Sequence, residues 1–110
     1  MKTGSSGDQL QEPNSAIDRL IHEPSRYTLM AYLYVVEAAD SLFLLRQTGM
    51  TWGNLSAHLG KLEAAGYVVI EKEFLGKKPH TTVRLTDEGR NAFEEYRRKM
   101  KRVLDNLPAR

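Results

Sequence analysis

The chain has 110 residues with a formal net charge of +2, and it contains no cysteine. A chain of this length can bury one compact core but not two, so we expect no separate catalytic or ligand-binding domain. The lack of cysteine excludes disulfides, thiolate nucleophiles and cysteine-ligated metal sites. No apolar run approaches the ~18 residues that span a bilayer, and the first residues lack a signal-peptide core, so we expect a cytoplasmic protein with no membrane partner.

The positive charge is concentrated in the later part of the sequence. Residues 1–40 carry three basic and six acidic side chains, a net −3, whereas residues 41–110 carry a net +5. Nucleic-acid binding depends on where charge lies and not on its sum, so the total by itself indicates no partner. Any surface that contacts phosphate is therefore expected within residues 41–110.

The first part of the chain predicts a tail followed by two helices. Residues 1–14 are polar and rich in Gly and Ser, which is typical of a disordered tail. Apolar residues at helical spacing then predict a short helix over 15–22. Pro24 suits the first turn of a new helix, and the wide apolar arc of residues 24–38 predicts the buried centre of the core.

A helix-turn-helix pattern comes next. Asp40 or Ser41 can cap a third helix over 42–47. The Thr-Gly-Met segment at 48–50 is a tight break, after which a fourth helix is predicted over 51–65. Two short helices separated by so few residues have the spacing of a helix-turn-helix.

A hairpin and a long helix complete the predicted order. Gly66 suits the left-handed residue that ends a helix, and residues 67–74 and 81–85 read as strands separated by a Gly, Pro and Lys-rich loop at 75–80. A final helix is predicted over 86–106. The order α-α-α-α-β-β-α predicts an α+β, mostly helical, winged helix-turn-helix fold with a long C-terminal helix.

The fourth helix carries the candidate DNA-reading residues. Leu55, Leu59 and Leu62 lie on one stripe, and the opposite side is polar or unusually small, so it can approach a major groove closely. Asn54 has the chemistry to pair bidentately with an adenine edge. A solvated polar face on a structural helix is the alternative. The candidate residues are Thr51, Trp52, Gly53, Asn54, Ser56, Ala57, His58 and Lys61.

The hairpin tip supplies a second candidate contact. Lys77, Lys78 and His80 are placed to contact phosphate or a minor groove, as a wing does. The alternative is a solubilised turn whose lysines protect a strand edge.

The last helix carries an apolar seam at spacings of 3, 4, 3 and 4 residues. A seam over two heptads could join two protomers, which suits the two-fold symmetry of palindromic operators. The alternative is a seam that packs on its own domain. We therefore divide the chain into a tail (1–14), a winged-helix domain (15–92) and a dimerisation helix (93–110). The candidate dimer residues are Phe93, Tyr96, Met100, Val103, Leu104 and Leu107.

The sequence indicates no metal and no cofactor. The three histidines lie on three different predicted elements without ligand spacing. Four aromatic residues could line a pocket for an effector, but aromatics at helical spacing are more typical of a core, so the sequence does not support an effector. These aromatic residues are Tyr27, Tyr32, Tyr34 and Trp52.

Two segments carry a family resemblance. The run GNLSAHLGKLEAAGYV at 53–68, followed by GKKPHTTVRLTDEGRNAF at 76–93, resembles small winged-helix transcription regulators of the MarR and ArsR classes. HEPSRYTLMAYL at 22–33 is similar to their first core helix. The resemblance implies a homodimer whose 51–65 helix reads the major groove and whose residues 76–80 form the wing.

Three positions depart from the pattern of the resembling families. Gly60 stands where they usually have Arg or Lys, which removes a phosphate contact. His80 replaces a common basic residue, and Gln47 stands where a leucine often packs.

The function that follows is sequence-specific regulation of transcription by a homodimer that binds double-stranded DNA. A winged helix that binds another protein and no DNA is the alternative, because a fold does not fix its function. An enzyme is not expected, since the sequence shows no nucleophile–base pair, carboxylate pair or phosphate-binding glycine loop.

Overall fold

The computed structural model describes residues 17–108, so the predicted tail at 1–14 lies outside the described residues. Within that range the chain forms four helices and one antiparallel sheet with the strand order β1-β3-β2, which confirms the mostly helical winged-helix fold. The elements in chain order are α1 (Pro24–Val36), β1 (Ala38–Asp40), α2 (Ser41–Thr48), α3 (Trp52–Ala64), β2 (Val68–Leu75), β3 (Lys78–Leu85) and α4 (Asp87–Asp105).

The segment before α1 differs from the prediction. Residues 17–23 form turns instead of the predicted short helix. The carboxylate of Asp18 accepts hydrogen bonds from the backbone N–H of Leu20 and of Ile21, at 2.9 and 3.3 Å. Glu23 then adopts an extended conformation and caps α1, because a residue that precedes proline disfavours helical backbone angles. The apolar residues of this segment still contribute to the core, since Ile21 is completely buried.

Strand β1 was not predicted. It pairs with β3 through Ala38↔Arg84, Ala39↔Val83 and Asp40↔Thr82, and Ala39 is buried. Alanine and aspartate have low intrinsic strand propensity, so this strand exists because β3 lies beside it. Its presence also ends α1 at Val36, two residues before the predicted end.

The connection from α3 to β2 confirms the predicted glycine stop. Gly66 has φ +82°, a left-handed angle that favours glycine. The N–H of Gly66 donates to the carbonyl of Glu63 at 2.9 Å, and the N–H of Tyr67 donates to that of Leu62 at 3.0 Å. This paired arrangement satisfies the last carbonyls of the helix and directs the chain at once into β2.

The wing is a tighter hairpin than the predicted loop at 75–80. Strands β2 and β3 pair from Val68↔Leu85 to Leu75↔Lys78, which leaves a turn of two residues, 76 and 77. Lys78 and His80 are therefore strand residues. Leu75 and Lys78 close the turn, so the next pair, Phe74↔Pro79, falls at a non-hydrogen-bonded position of the antiparallel ladder. Pro79 is tolerated there because no backbone N–H is needed at this position.

The core draws on every helix and on all three strands. Phe93 and Tyr96 of α4 belong to it, with 2% and 8% of their surfaces exposed, so they are core residues of the protomer and not available to a partner. Helix α4 is also continuous across the predicted boundary between residues 92 and 93. The buried apolar residues are Ile17, Ile21, Leu29, Met30, Leu33, Ala39, Leu44, Leu55, Leu59, Leu62, Val68, Val83, Leu85, Phe93 and Tyr96.

The start of α4 packs directly on the chain that leaves α3. The Thr86 hydroxyl donates to the carbonyl of Gly66 at 2.6 Å and accepts from the N–H of Gly89 at 2.9 Å, while the Thr86 N–H donates to the carbonyl of Tyr67 at 3.0 Å. The Tyr67 hydroxyl donates to the Asp18 carboxylate, and burial together with this bond raises the pKa of Tyr67. A Cβ atom on Gly89 would lie 2.2 Å from the Tyr67 carbonyl oxygen.

The same substitution should therefore have opposite effects on two helical glycines. Gly89→Ala should lower the free energy of unfolding by about 1–3 kcal/mol, because the added methyl group forces the backbone apart. Gly60→Ala on α3 meets nothing within 4 Å and should raise it by about 0.5–1 kcal/mol through helix propensity. Urea unfolding of both variants measures this. Equal effects of the two substitutions would contradict the close packing at Gly89.

Candidate nucleic-acid interface

The turn between α2 and α3 sets the direction of the candidate reading helix. Gly49 ends α2 with φ +70°, and its N–H donates to the carbonyl of Leu45 at 2.9 Å. The Thr51 hydroxyl then caps α3 by accepting from the N–H of Asn54 at 3.1 Å. The helix thus begins at the protein surface with polar residues in its first turn.

Helix α3 has one buried and one exposed side, as the sequence predicts. Leu55, Leu59 and Leu62 are buried in the core. Trp52, which is 54% exposed, is the one large apolar residue on the outer side. The structure therefore places most of the predicted reading residues together on an open face, namely Thr51, Trp52, Gly53, Asn54, Ser56, Ala57 and Lys61.

His58 differs from the other predicted reading residues. Its Nδ1 atom lies 3.2 Å from Nη1 of Arg26 and 3.9 Å from Oε1 of Glu23, both at the start of α1. Arg26 in turn donates from Nε to the carbonyl of Leu20 at 2.6 Å. The imidazole therefore joins α3 to α1, and only the remaining predicted residues of α3 are available on the open face.

The wing presents its two lysines but not its histidine. Lys77 and Lys78 are exposed at the end of the hairpin. His80 instead lies with Nδ1 2.8 Å from Oδ2 of Asp40 in β1. The other carboxylate oxygen of Asp40 accepts from the N–H of Leu42 at 2.6 Å and caps α2. These contacts connect the wing to the first turn of the helix-turn-helix, and they lower the pKa of Asp40, the His80 hydrogen bond most and the Leu42 N–H next.

A groove of about 670 Å³ runs between α3 and the wing. Sequence reasoning did not include Glu63, Lys72, Thr81 or Ser41 in the site. Two spacings could have indicated the groove: Glu63 continues a stripe down α3, and Lys72 follows Ile70 on one face of β2. The groove is lined by Ser41, Trp52, Leu55, Ser56, Leu59, Gly60, Glu63, Ile70, Lys72 and Thr81.

The four aromatic residues do not form one pocket. Trp52 lines the groove beside α3, and Tyr32 packs edge-on against Phe43 with ring centroids 6.2 Å apart. Tyr27 and Tyr34 line a different groove, of about 790 Å³, between α1 and α4. There the Tyr34 hydroxyl donates to Oε2 of Glu94 at 2.7 Å, which raises the pKa of Tyr34.

Two further observations concern only residues 17–108. No three His, Asp or Glu side chains in this range come together as ligands for a metal ion. None of its helices combines the length and apolar character needed to cross a bilayer.

A helix-turn-helix followed by a short hairpin is the architecture of the winged-helix class. A family model described as winged helix DNA-binding domain matches residues 25–104. The chain belongs to this winged helix DNA-binding domain family. The family and the fold are those of transcription regulators, which are not enzymes.

Individual relatives agree with this assignment. An uncharacterized protein of Methanocaldococcus jannaschii is 32% identical over 78 residues, which cover 71% of this chain and 85% of that protein. The structure of a transcriptional regulator homologue from Pyrococcus horikoshii OT3 is 26% identical, with a TM-score of 0.80 over 93% of this chain and 99% of that one. A mutant of E. coli MarR complexed with operator DNA shares the fold at 19% identity, with a TM-score of 0.59 over 94% of this chain and 82% of that one.

The Asp40 contacts predict an acid-sensitive contribution to stability. Because the folded-state pKa of Asp40 is below its ordinary value of 3.8, the contribution is complete above that value and is lost as the pH falls through the lower folded-state pKa. Asp40→Asn keeps a capping side chain but not the charge. The difference in unfolding free energy between wild type and this variant should therefore be present at about pH 5 and shrink below about pH 4.

Unfolding in urea across this pH range measures the difference. Glu63→Gln, the corresponding change at an exposed carboxylate of α3, is the control for removing a negative charge. A difference for Asp40→Asn that stayed constant down to pH 2 would show that the carboxylate charge is not involved.

Proposed function

We propose that the protein is a sequence-specific transcription regulator that binds double-stranded DNA as a homodimer. Helix α3 would enter the major groove, and the wing would contact the backbone or the adjacent minor groove. The observation that carries this proposal is the open, polar and small-residue face of α3 beside a hairpin that ends in two exposed lysines. DNA as a partner also suits the predicted cytoplasmic location.

The exposed residues of α3 suit close contact with base edges. Gly53, Ala57 and Gly60 leave the outer side of the helix without bulky atoms, so the backbone can approach the groove floor. Asn54 lies in the first turn, which is the part of a recognition helix that contacts bases. A bidentate Asn–adenine contact discriminates against a wrong base by about 1–3 kcal/mol.

The wing lysines should contribute mainly to affinity. Phosphate contacts position a protein without reading the sequence, and each one adds about 0.9 to the slope of log K against log salt concentration. Replacing Lys77 and Lys78 by Glu should weaken binding to all retained DNA alike and flatten that slope by about 0.9 for each phosphate that is no longer neutralised. The measurement is a salt series of binding to DNA fragments selected from the genome that encodes the protein.

A control separates local contacts from total charge. Arg19→Glu with Arg102→Glu makes the same change in net charge at two exposed side chains that line neither the groove between α1 and α4 nor the groove beside the wing. This control should change the salt slope less than the wing variant. No retention of any fragment by the wild type at low salt, or equal slopes for the wild type and the wing variant, would refute the proposal.

The proposed dimer contact lies in the last turns of α4 and in the residues directly after it. Met100 packs against the core and Val103 is half-buried, whereas Leu104 and Leu107 are 67% and 59% exposed. The groove between α1 and α4 borders Leu104 and is partly apolar. Two such surfaces related by a two-fold axis would bury each other and present two α3 helices to half-sites about one DNA turn apart.

Charges at these two leucines should therefore dissociate the dimer without unfolding the protomer. Leu104→Asp with Leu107→Asp should give a monomer in sedimentation at micromolar concentration, because each carboxylate would have to be buried at the interface. Phe74→Asp, an equally exposed apolar residue on the wing, is the control and should stay dimeric. A wild type that sediments as a monomer, or a double variant that remains dimeric, would contradict this interface.

Binding to another protein without DNA is the second candidate. The exposed small residues Ala57, Gly60 and Ala64 of α3 could also seat a partner helix. A stoichiometric protein recovered with the wild type, together with no DNA retention, would favour this function. The E. coli regulator that shares the fold is MarR. The resemblance to ArsR proteins stays a prediction.

A further inference from the structure

The end of the wing carries two large apolar side chains in solvent. Phe74 is 72% exposed and Leu75 is 58% exposed, immediately before the turn that bears Lys77. Packing on the core does not account for these two side chains. Strand β1 pairs with β3 only as far as Thr82, and the end of the hairpin lies beyond that point. In the described part of the chain the hairpin beyond Thr82 is therefore a two-stranded ribbon.

The alternation of β2 places these side chains on both faces of the ribbon. Phe74 follows Ile70 and Lys72 on the face that lines the groove beside α3, and its cross-strand partner there is Pro79. Leu75 points to the opposite face, where its partner is Lys78. The tip is thus an apolar edge that continues the surface of the proposed reading helix.

The charges around this edge favour DNA as its occupant. Lys77 forms part of the turn and Lys78 flanks Leu75, so cations stand directly beside the apolar atoms. Two carboxylates lie farther down β2 than the lysines: Glu73 is opposite His80, and Glu71 lies 3.8 Å from Arg84 and is partly compensated there. An apolar tip beside lysines matches a minor groove, whose walls are the sugar–phosphate backbone and whose floor is the edges of the base pairs.

We propose that Phe74 and Leu75 form a wedge that enters the minor groove, partly unstacks one base step and kinks the duplex. The inference rests on the proposed DNA-binding function and adds a mechanism of recognition to it. Apolar side chains inserted in this way kink DNA by about 20–90° toward the major groove.

The wedge also predicts a preference at base pairs that no side chain hydrogen-bonds. Pyrimidine–purine steps such as TA and CA unstack most easily, so their presence under the wing lowers the deformation energy. Replacing such a step by a stiff A-tract, with the α3 contacts unchanged, should weaken binding by the wild type. The same replacement should matter little once the wedge residues are removed.

The test uses a duplex retained by the wild type, labelled at both ends for Förster transfer and carrying 2-aminopurine at successive steps. At saturating wild-type protein the end-to-end distance should shorten, and 2-aminopurine fluorescence should rise at one step. Phe74→Ser with Leu75→Ser should abolish both signals and weaken binding by at least about tenfold, since fully burying even one such side chain is worth more than that factor. Val69→Ser, an exposed apolar residue at the other end of β2, is the control and should keep both signals.

The outcomes distinguish the two proposals. If the wild type retains no duplex at low salt, the proposed function fails. If the wild type binds a straight duplex, or the double variant kinks it as the wild type does, the wedge fails and the proposed function stands. If the double variant changes sedimentation instead of the kink, the tip is a contact between protein chains and the wedge is refuted. The single variants Phe74→Ser and Leu75→Ser repeat the test, and unchanged thermal unfolding confirms that each is folded.

Discussion

The absence of a side chain at Gly89 allows α4 to begin in direct contact with the chain that leaves α3. The Tyr67 carbonyl occupies the space that any Cβ would need, and Thr86 fixes the approach by bonding to Gly66, Tyr67 and Gly89 at once. Four elements meet here: the end of α3, the start of β2, the end of β3 and the start of α4. Their relative positions are therefore set by backbone atoms and one hydroxyl, whose geometry is far stiffer than that of packed side chains.

The other ends of α3 and of the hairpin are exposed. The first turn of α3 borders the groove between α3 and the wing, and residues 74–79 of the wing tip are in contact with solvent. A second connection, from His80 through Asp40 to the first turn of α2, limits how far the wing can swing. The interface is rigid at its base and accessible at its edges, as a surface that must fit a groove requires.

How far the sequence could predict this molecule depends on the range of the interactions involved. Capping hydroxyls, the Gly66 stop and the buried leucine stripe of α3 are local signals, and they gave the helix-turn-helix nearly to the residue. They also gave the hairpin, but with a loop at 75–80 that is longer than the two-residue turn. Strand β1 could not be predicted, since Ala38–Asp40 becomes a strand only through pairing with β3. His58 and His80 have the composition of contact residues, but each bonds a distant element that no local pattern reveals. Phe93 and Tyr96 follow a seam pattern that the protomer's own core satisfies first.

Ion pairs within α4 reduce the positive charge that the basic C-terminal part presents to solvent. On α4, Arg98 and Lys99 lie within 2.7 and 3.6 Å of Glu95, and Lys101 lies 2.9 Å from Asp105, so much of this cluster is neutralised within its own helix. In the part of the chain that the structure describes, Lys77 and Lys78 take no part in the ion pairs. Exposed charges act over roughly 10 Å at moderate salt, so only cations close to the groove can steer DNA into it. In the proposed complex the attraction would therefore come mainly from Lys77 and Lys78 at the end of the wing.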